Sequence, residues 1–305
     1  MRERSVAPVN PLATLKRHGL QQTAAFYRRE LAYRWSSLRT RKVARFQHPG
    51  GQDLVAIEGM LAASGVGVTP LRADKSKYEE FSAALPFPED YHGGTSSGYW
   101  HEKIFEHYLS WELLDMDRFQ AEDRYLDVAA GSSPWARLLR EHRGLTAFAI
   151  DLKVHPELQA HDYYIEGDAT ASPFASASLR GISLHCAYEM FAGDSDSRAV
   201  GEFARILAPG GAVVIAPLYM HTHYCCFSSP ECWGRGHADP GAVEYVCPAM
   251  RNLPAVRHYD AARLRERVLE PARRSGLEPQ LLRLHGTAAI SPEIYCHFVL
   301  MLRKP

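Results

Sequence analysis

Beyond about residue 120, short apolar runs alternate with segments in which apolar residues recur at helical spacing. The helical segments cover 134–143 and 196–207, and a Pro-Gly-Gly sequence ends the second. The apolar runs predict strands at 124–129, 146–150, 162–166, 181–186 and 212–217. Strands that alternate with helices form a parallel sheet covered by helices, so the pattern predicts an α/β fold.

The end of the chain departs from this alternation. After a helix predicted at about 260–275, two apolar runs, Gln280–Gly286 and Ile294–Arg303, are joined by a short link that contains Pro. Antiparallel strands can be joined by such a link, whereas parallel strands need a longer crossover. We therefore expect a mostly parallel sheet with an antiparallel edge strand.

The N-terminal region has a different character. Residues 11–46 are predicted to be helical with a basic face, and the Pro- and Gly-rich stretch 86–98 breaks the chain. We expect a helical accessory region over 1–90 and a main domain over 91–305. Within that domain, residues 218–259 are a long insertion after the fifth strand, rich in His and aromatic residues. Long connections at the carboxyl edge of a parallel sheet hold ligands, so this insertion is interpreted as a substrate lid.

The most informative motif follows the first predicted strand. In Tyr125-Leu-Asp-Val-Ala-Ala-Gly-Ser-Ser-Pro-Trp135, an apolar run ends in an acidic residue and leads through small residues to a Pro where a helix can begin. Small residues let a ligand approach the backbone, and a helix N-terminus offers N–H donors. Asp151 ends the next apolar run, where an acidic residue can bind the two hydroxyls of a ribose. The two segments predict a ligand that contains adenosine.

The glycine content of this turn distinguishes two kinds of adenosine ligand. A dinucleotide site requires G-x-G-x-x-G, and the matching positions hold Ala129, Gly131 and Pro134. A single Gly disfavours a turn that binds pyrophosphate. S-adenosylmethionine has no phosphates and needs less room and fewer N–H donors, so it is the better fit.

The same segments, in order, resemble the class I S-adenosylmethionine-dependent methyltransferases that act on small molecules. Leu126-Asp-Val-Ala-Ala-Gly131 resembles the first motif of that family, and Asp151 resembles its ribose-binding acid. Gly167-Asp-Ala-Thr170 resembles the segment whose Asp binds the adenine amino group. Residues 172–191 and 202–215 resemble two later motifs, the second with its Pro-Gly-Gly turn.

This resemblance covers roughly residues 98–305 and implies a Rossmann-like, doubly wound sheet of seven strands. It also implies S-adenosyl-L-methionine as the cofactor. The residues expected to contact the cofactor are Asp127, Ala129, Gly131, Ser132, Asp151, Leu152, Asp168, Ala169 and His185. In the family, the acid that corresponds to Asp127 faces the methionine amino group.

Several residues depart from the family pattern, among them Leu179-Arg180 in place of the usual Phe-Asp before the fourth strand. Ala129 and Ser133 replace two glycines, but both are small, so the turn is expected to survive. Ser133 is expected either to contact the ligand carboxylate or to cap the helix that begins at Pro134. Met190 stands where many relatives carry His, so that His cannot serve as a base here.

Candidate catalytic residues follow the fourth predicted strand, beside the expected position of the methyl group. His185 or Glu189 could deprotonate a hydroxyl or an amine of the acceptor. His185 could instead be a core residue, and methyl transfer can proceed by positioning alone, without a dedicated base.

Aromatic and His side chains are expected to line the acceptor pocket. The predicted substrate contacts are Tyr99, Trp100, Tyr188, Tyr219, His221 and His223. Tyr99 and Trp100 could alternatively anchor the first helix of the domain in the core. The Cys and His residues at 221–237 contain no C-x2-C pair, so no metal site is predicted.

Charge is distributed unevenly along a chain whose net charge is zero. Residues 1–50 hold 11 Lys and Arg against two acids. This charge fits either an acidic partner, such as a carrier protein, or a solvated helix packed on the main domain. The apolar stripe of that packed helix would be Leu12, Leu15, Leu20, Phe26, Leu31 and Trp35. A nucleic acid partner is not expected.

Six Cys in a chain of this length do not indicate a disulfide framework, and no apolar run is long enough for a membrane span. The expected location is therefore the cytoplasm. The predicted function is methyl transfer from S-adenosylmethionine to an oxygen or nitrogen of a small molecule, which is expected to be a specialised metabolite. Two alternatives stay open: an adenosine-ligand or partner-binding protein without activity, and a nicotinamide-dependent oxidoreductase.

Overall fold

The computed structural model describes residue 24 and residues 27–305. The chain divides into two compact units. The larger comprises Gly51–Thr222 and Tyr259–Pro305, and the smaller comprises Met1–Gly50 and His223–His258. This division differs from the expected boundary near residue 90, because residues 51–90 belong to the larger unit and residues 223–258 form strands of the smaller one.

Eleven strands are assigned in the described residues. In chain order they are β1 (Val68–Arg72), β2 (Arg124–Val128), β3 (Thr146–Asp151), β4 (Tyr164–Glu166), β5 (Leu179–His185), β6 (Leu207–Ala216), β7 (Cys225–Ser228), β8 (Val243–Val246), β9 (Val256–His258), β10 (Glu278–His285) and β11 (Phe298–Arg303).

Helices alternate with these strands. They are α1 (Gly51–Ala63), α2 (Lys75–Ala84), α3 (Trp100–Leu113), α4 (Trp135–Arg143), α5 (Ser195–Ile206) and α6, which runs as Ala261–Leu264, a π-helical turn at Arg265–Leu269, and Glu270–Arg274. Residues 27–39 are also helical. No helix in the described part of the chain has the length and apolar composition that crossing a membrane requires.

The sheet of the larger unit has eight strands in the order β1-β10-β11-β6-β5-β2-β3-β4. Strand β11 pairs antiparallel with both β10 and β6, and the other pairs are parallel. The predicted Rossmann-like α/β fold and the antiparallel pairing of the last two strands are therefore confirmed.

One strand more is present than the seven expected. Strand β1 pairs parallel with β10 and forms one edge of the sheet. The expected antiparallel edge strand is wrong, because β11 pairs with both β10 and β6 and therefore lies inside the sheet. The sequence Val-Thr-Pro-Leu-Arg is a weak strand signal because Pro70 cannot donate a hydrogen bond, but an edge strand tolerates Pro.

Helix α3 is unusual because it is buried on all sides yet rich in polar residues. Every residue from Glu102 to Trp111 is buried, and Ile104, Phe105 and Leu109 supply apolar contacts. The same buried stretch contains three charged residues, a His and a Ser. Burying such groups costs free energy unless they are paired, so their presence marks α3 as part of a site.

The smaller unit contains a three-stranded sheet in the order β8-β7-β9. A buried ion pair joins Arg257 Nε to Asp239 Oδ2 at 2.6 Å, and the Tyr224 hydroxyl donates to the same oxygen at 2.8 Å. In the helix at residues 27–39, Leu31 and Trp35 are each 65% exposed. The predicted buried stripe is therefore wrong at these two positions, and its four other members lie outside the described residues.

Candidate functional site

Three chemically active side chains meet at one edge of the larger sheet. Strand β2 lies between β5 and β3 and is parallel to both, so their carboxyl ends share an edge. Asp127 is the penultimate residue of β2, Asp151 ends β3, and His185 ends β5. The carboxyl edge of such a sheet, at the point where the strand order reverses, is where α/β folds bind ligands.

The loop after β2, residues 129–134, is called the β2 loop below. Its Ala129 and Gly131 have φ of 54° and 56°, in the left-handed region. A Cβ built on Gly131 meets no atom within 4 Å, so the backbone there faces open space. Ala129 adopts its conformation at a cost of about 1 kcal/mol, and such strain is common beside ligand sites.

A carboxylate ties the β2 loop to the end of β3. The Gly131 N–H donates to Asp151 Oδ2 at 2.8 Å, and the Lys153 N–H donates to Oδ1 at 3.1 Å. A carboxylate offers about four acceptor positions, so Asp151 can still accept hydrogen bonds from hydroxyl groups. The next residue, Leu152, is 76% exposed and offers an apolar surface beside the carboxylate.

Asp168 follows β4 at the same edge. Its Oδ1 accepts the Thr170 N–H at 2.8 Å, and hydrogen bonds from Thr170 hold the pKa of Asp168 below its usual value. Asp168 is exposed and Ala169 is half-buried. The exposed carboxylate therefore stays ionised near pH 7 and is available as a hydrogen-bond acceptor.

Two serines of the β2 loop differ in their surroundings. Ser133 Oγ accepts the Trp135 N–H at 3.2 Å at the start of α4, a contact within the fold, and Pro134 is the N-cap of this helix. Ser132 is exposed and remains a predicted ligand contact.

His185 bridges the β2 loop region and helix α3. Its Nδ1 lies 3.1 Å from Asp127 Oδ1, and its Nε2 lies 2.7 Å from Ser110 Oγ. In the tautomer with the proton on Nδ1, this nitrogen donates to the Asp127 carboxylate and Nε2 accepts the Ser110 hydroxyl proton. Both ring nitrogens are therefore engaged inside the fold, which favours a role in positioning Asp127 over a role as a base.

Asp127 is itself buried, and its second oxygen has no partner among the described residues. Asp127 is 1% exposed, and Oδ2 makes no hydrogen bond. A buried carboxylate oxygen without a donor costs roughly 1–3 kcal/mol. A ligand that brings an ammonium group to the β2 loop would satisfy this oxygen.

Aromatic rings pack behind His185. The ring of His107 lies edge-on to His185 with centroids 4.3 Å apart and stacks on Trp135 at 4.7 Å. The Tyr91 hydroxyl lies 2.9 Å from His107 Nε2. Burial lowers the pKa of His107, so its ring is neutral at pH 7. These contacts fix the orientation of His185.

A second polar group lies between α3 and the carboxyl ends of β5 and β6, and is called the Lys103 cluster. Its members are Lys103, Glu106, Cys186, Glu189, Tyr219 and Tyr295. Lys103 Nζ pairs with Glu106 Oε1 at 2.7 Å, with side chains 10% and 1% exposed. Cys186 Sγ lies 3.4 Å from the Tyr219 hydroxyl and 3.9 Å from that of Tyr295.

Glu189 supplies the group of this cluster that is best placed to exchange a proton. It lies in the short helix Tyr188–Met190 that follows β5, and it is 5% exposed. Burial raises the pKa of Glu189 to about 7, although Lys103 and the thiol of Cys186 oppose the shift. Its Oε2 has no partner in the described part of the chain. A carboxyl with this pKa can act as a base at neutral pH.

Glu102 fixes the position of the segment that contains Tyr295. Its Oε2 accepts the backbone N–H groups of Tyr295 and Cys296 at 2.8 and 3.3 Å. These bonds join α3 to the link between β10 and β11 and orient the Tyr295 ring, which lies nearly parallel to Tyr219 at 6.3 Å. Burial, followed by the charge of Glu106, raises the pKa of Glu102 to about 8.

The residues that the sequence proposed as substrate contacts are not all found together. Tyr219 belongs to the Lys103 cluster. Tyr99 is 37% exposed, whereas Trp100 packs against the core near Tyr91, as in the anchoring alternative. Tyr188 is buried and donates its hydroxyl proton to the Asp196 carbonyl at 2.9 Å, which is a use within the fold.

The two predicted histidines of the insertion lie in different units. His221 belongs to the larger unit, where its Nδ1 lies 3.2 Å from the Thr222 hydroxyl. His223 belongs to the smaller unit, where its Nε2 lies 2.9 Å from the Tyr245 hydroxyl. Their role as substrate contacts stays a prediction, as does the absence of a metal site.

Several residues of the site escaped the sequence analysis. Ser110, Glu102, Glu106 and Tyr295 received no role, although each contacts a predicted residue or lines the Lys103 cluster. Glu102, Glu106 and Ser110 lie on α3, where polar residues at helical spacing resemble the solvated face of a surface helix, so no local signal marks them.

Comparison with known proteins agrees with this geometry. Residues 126–215 match the family described as "Methyltransferase domain". The chain is 30% identical over 164 residues to a demethylmenaquinone methyltransferase of Renibacterium salmoninarum, covering 47% of this chain and 66% of that protein. It is 28% identical over 120 residues to the enzyme of the same name from Thermus thermophilus, covering 35% and 53%. The chain thus spans just under two thirds and about half the length of these relatives.

Solved structures with similarity to the chain include two methyltransferases. The 1,6-didemethyltoxoflavin-N1-methyltransferase of Burkholderia thailandensis, with S-adenosylhomocysteine bound, is 17% identical with a TM-score of 0.47 and covers 78% of this chain and 93% of its own. A sugar N-methyltransferase from Streptoalloteichus sp. is 18% identical with a TM-score of 0.45 and covers 79% and 98%.

The matched family spans the part of the chain that builds the site. Residues 126–215 run from β2 to β6 and include the β2 loop, Asp151, Asp168 and His185. The family match, the curated relatives and the Rossmann-like sheet agree with one another. Residues 126–215 are therefore a methyltransferase domain similar to those of the class I S-adenosylmethionine-dependent methyltransferases, a family whose cofactor is S-adenosylmethionine.

Proposed function

We propose that this protein transfers the methyl group of S-adenosylmethionine to an oxygen or nitrogen of a small molecule. The observation that carries the proposal is the arrangement of Asp127, Gly131 and Asp151 at one sheet edge. The open backbone at Gly131 is held beside the Asp151 carboxylate by a hydrogen bond of 2.8 Å. This arrangement of Asp127, Gly131 and Asp151 accommodates a ligand that has a ribose and an amino acid moiety but no phosphate groups.

For each polar part of the cofactor, the site has a residue that could form a hydrogen bond with it. The unpartnered Oδ2 of Asp127 suits the methionine ammonium group, Asp151 suits the ribose hydroxyls, and Asp168 with Leu152 suits the adenine. When bound, the cofactor supplies an electrophilic methyl group on a sulfonium. These residues hold it at the carboxyl edge of β2, β3 and β5.

We assign the base role to Glu189 in preference to His185. Glu189 has a free carboxyl oxygen and a pKa near 7, whereas both nitrogens of His185 are engaged by Asp127 and Ser110. Glu189 would accept a proton from the acceptor as the new bond forms. His185 would keep Asp127 oriented toward the cofactor.

The acceptor would be a specialised metabolite bound in the Lys103 cluster. In support, the cluster combines two aromatic rings with charged groups of both signs, a combination that recognises a particular polar molecule better than a generic apolar one. A second candidate is a quinone-derived ring, because the curated relatives are named for demethylmenaquinone and the nearly parallel rings of Tyr219 and Tyr295 suit a flat aromatic ligand.

A role for the basic N-terminal region in docking an acidic carrier protein also remains a proposal. It is supported by the charge of residues 1–50, although most of the first 26 lie outside the described residues. A salt-sensitive kcat/KM that becomes salt-insensitive when residues 1–50 are removed would support docking.

Two measurements test the main proposal. Calorimetric titration with S-adenosylhomocysteine should give a micromolar or tighter Kd, whereas titration with NAD should show no heat of binding. Incubation with methyl-labelled S-adenosylmethionine and a mixed metabolite extract should then yield labelled small molecules. Tight S-adenosylhomocysteine binding without any transfer would instead support the alternative of a ligand-binding protein without activity.

A further inference from the structure

The Lys103 cluster has more acidic groups than basic groups to balance them. Among the described residues that form it, Glu106 and Glu189 supply two carboxyls, and Lys103 supplies one ammonium. Lys103 Nζ donates a hydrogen bond to Glu106 Oε1 at 2.7 Å. Glu106 is 0% exposed and Glu189 5%, so water cannot freely compensate the second carboxyl.

The unpartnered atoms of the cluster are all hydrogen-bond acceptors. Glu106 Oε2 and Glu189 Oε2 are both buried without a donor in the described part of the chain. Protein interiors rarely leave such atoms unsatisfied, because each one costs roughly 1–3 kcal/mol. A single group with at least two hydrogens to donate would satisfy both oxygens.

The chemistry of the missing group distinguishes between acceptor classes. A carboxylate or phenolate would bring a third negative charge to two buried carboxyls, which is unfavourable. A hydroxyl has a single hydrogen, enough for one of the two oxygens. An ammonium has two or three hydrogens and a positive charge, so it satisfies both oxygens and balances the charge.

The position of the cluster fits a reacting group as well as a binding group. Cys186 directly follows β5, and Glu189 lies in the short helix after it. The last residue of β5, His185, contacts Asp127, which is expected to bind the cofactor. Tyr219 follows β6, the neighbour of β5. The cluster is thus next to the predicted cofactor site at the same edge of the sheet.

We propose that the methyl acceptor is a primary or secondary amine that enters as its ammonium ion and is bound by Glu106 and Glu189. This inference rests on the proposed function and narrows its acceptor atom to nitrogen. Glu189 takes one proton from the ammonium and becomes neutral. The nitrogen lone pair then forms the N–C bond while the methyl–sulfur bond breaks, and its electron pair stays on sulfur. The product leaves as the methylated ammonium, and Glu189 releases its proton to solvent.

The test uses the full-length protein saturated with S-adenosylhomocysteine and matched pairs of small molecules. The pairs are tyramine with 4-hydroxyphenylethanol, phenethylamine with phenethyl alcohol, and glucosamine with glucose. We expect amine members to raise the Tm of the complex and to give a measurable Kd by calorimetry, with a preference of tenfold or more over their hydroxyl partners. With labelled S-adenosylmethionine, the label should appear on nitrogen.

Charge removal at Glu189 gives an independent readout. Glu189→Gln keeps the size of the side chain and should reduce amine affinity at least tenfold while leaving the Kd for S-adenosylhomocysteine within twofold. Glu79→Gln, at a side chain 62% exposed on α2, is the control and should change neither value. Equal binding of amines by the Glu189→Gln protein would overturn the proposal.

The outcomes separate this inference from the proposed function. If S-adenosylhomocysteine does not bind, both fail. If it binds but the hydroxyl members bind more tightly, if they receive the label, or if no amine of the panel binds or is labelled, the amine assignment fails and the methyltransferase assignment stands.

Discussion

The acidic residues of the predicted cofactor site, Asp151 and Asp168, have different surroundings from the acidic residues of the Lys103 cluster. Asp151 ends β3 and Asp168 lies in the turn after β4, and each accepts a backbone N–H group at 2.8 Å. Glu106 and Glu189 lie in packed surroundings, and each keeps one oxygen without a donor. Hydrogen bonds hold the pKa of Asp168 below its usual value, whereas burial raises that of Glu189 to about 7.

This difference shows how one sheet edge can hold two functions. Loop N–H donors stabilise a permanent anion, which suits the binding of hydroxyl and amino groups that never change charge. Burial without donors leaves a carboxyl that gains or loses a proton near neutral pH, which suits a base. Substitutions in each half should therefore affect different measurements.

The largest expected effect is on catalysis by the Lys103 cluster. Glu189→Gln should lower kcat by about 10²–10⁴-fold, because the base is lost. In the wild-type protein, kcat/KM should rise with pH through about 7 as Glu189 becomes ionised, and this acidic limb should be absent from the variant. A pH profile that keeps its limb in the variant would assign the base elsewhere.

On the cofactor side, Gly131→Val should weaken S-adenosylhomocysteine binding more than 100-fold, because a branched side chain would fill the open space at the β2 loop. The left-handed φ of 56° also predicts a stability loss of about 1–2 kcal/mol. Gly144→Val is a matched control, since Gly144 has φ of 66° and equally open surroundings at the end of α4. The control should lose similar stability but keep its cofactor affinity, as measured by calorimetry.

Asp151→Ala should weaken cofactor binding by about 1–3 kcal/mol, because it removes charge-assisted hydrogen bonds to the ribose and frees the Gly131 N–H. The effect should appear in the Kd for S-adenosylhomocysteine, with the pH dependence of kcat unchanged. An unaltered Kd would remove Asp151 from the site.

A smaller effect concerns stability and pH. The pKa of Glu102 is about 8 in the folded protein and 4.5 when unperturbed, so the folded state holds a proton that the unfolded chain releases. The free energy of unfolding should therefore decrease as pH rises through 8, by about 1 kcal/mol between pH 7 and 9. Thermal melts of Glu102→Gln should show a weaker decrease, and those of Glu79→Gln should match the wild type.

The smallest effect is expected at Ala129. Ala129→Gly relieves the left-handed strain but increases the entropy of the unfolded chain, so the stability change should stay below about 1 kcal/mol. Cofactor affinity should not change. Ala130→Gly, at a residue packed against the core, should be clearly destabilising in the same denaturant titrations.

The sequence predicts the cofactor half better than the Lys103 cluster, and the reason is physical. The β2 loop, Asp151 and Asp168 are local features, each set by a strand end and the turn after it. The periodicity of β2, β3, β5 and β6 placed these turns at one edge. The family match over residues 126–215 confirms the methyltransferase domain there, and the individual contacts stay predictions until a ligand is bound.

The Lys103 cluster depends on contacts between segments far apart in sequence. The polar positions of α3 look like the solvated face of a surface helix, and nothing local shows that β5 and the link before β11 cover them. Tyr295 lies 193 positions from Glu102, whose carboxylate holds its backbone. For the same reason the strand β1 was missed, because its partner β10 lies near the other end of the sequence.

These long separations have a consequence for the order in which the protein folds. Strands β2 to β6 are close in sequence, but Glu58 and Arg283, which form an ion pair at 2.9 Å, are 225 positions apart. Because contacts between distant segments form slowly, we expect the adenosine-binding half to assemble first and the β1-β10-β11 half to join later. The residues predicted to bind the nucleoside would then be assembled before Tyr295 packs in the Lys103 cluster. S-adenosylhomocysteine should therefore stabilise a partly folded chain that cannot yet transfer a methyl group.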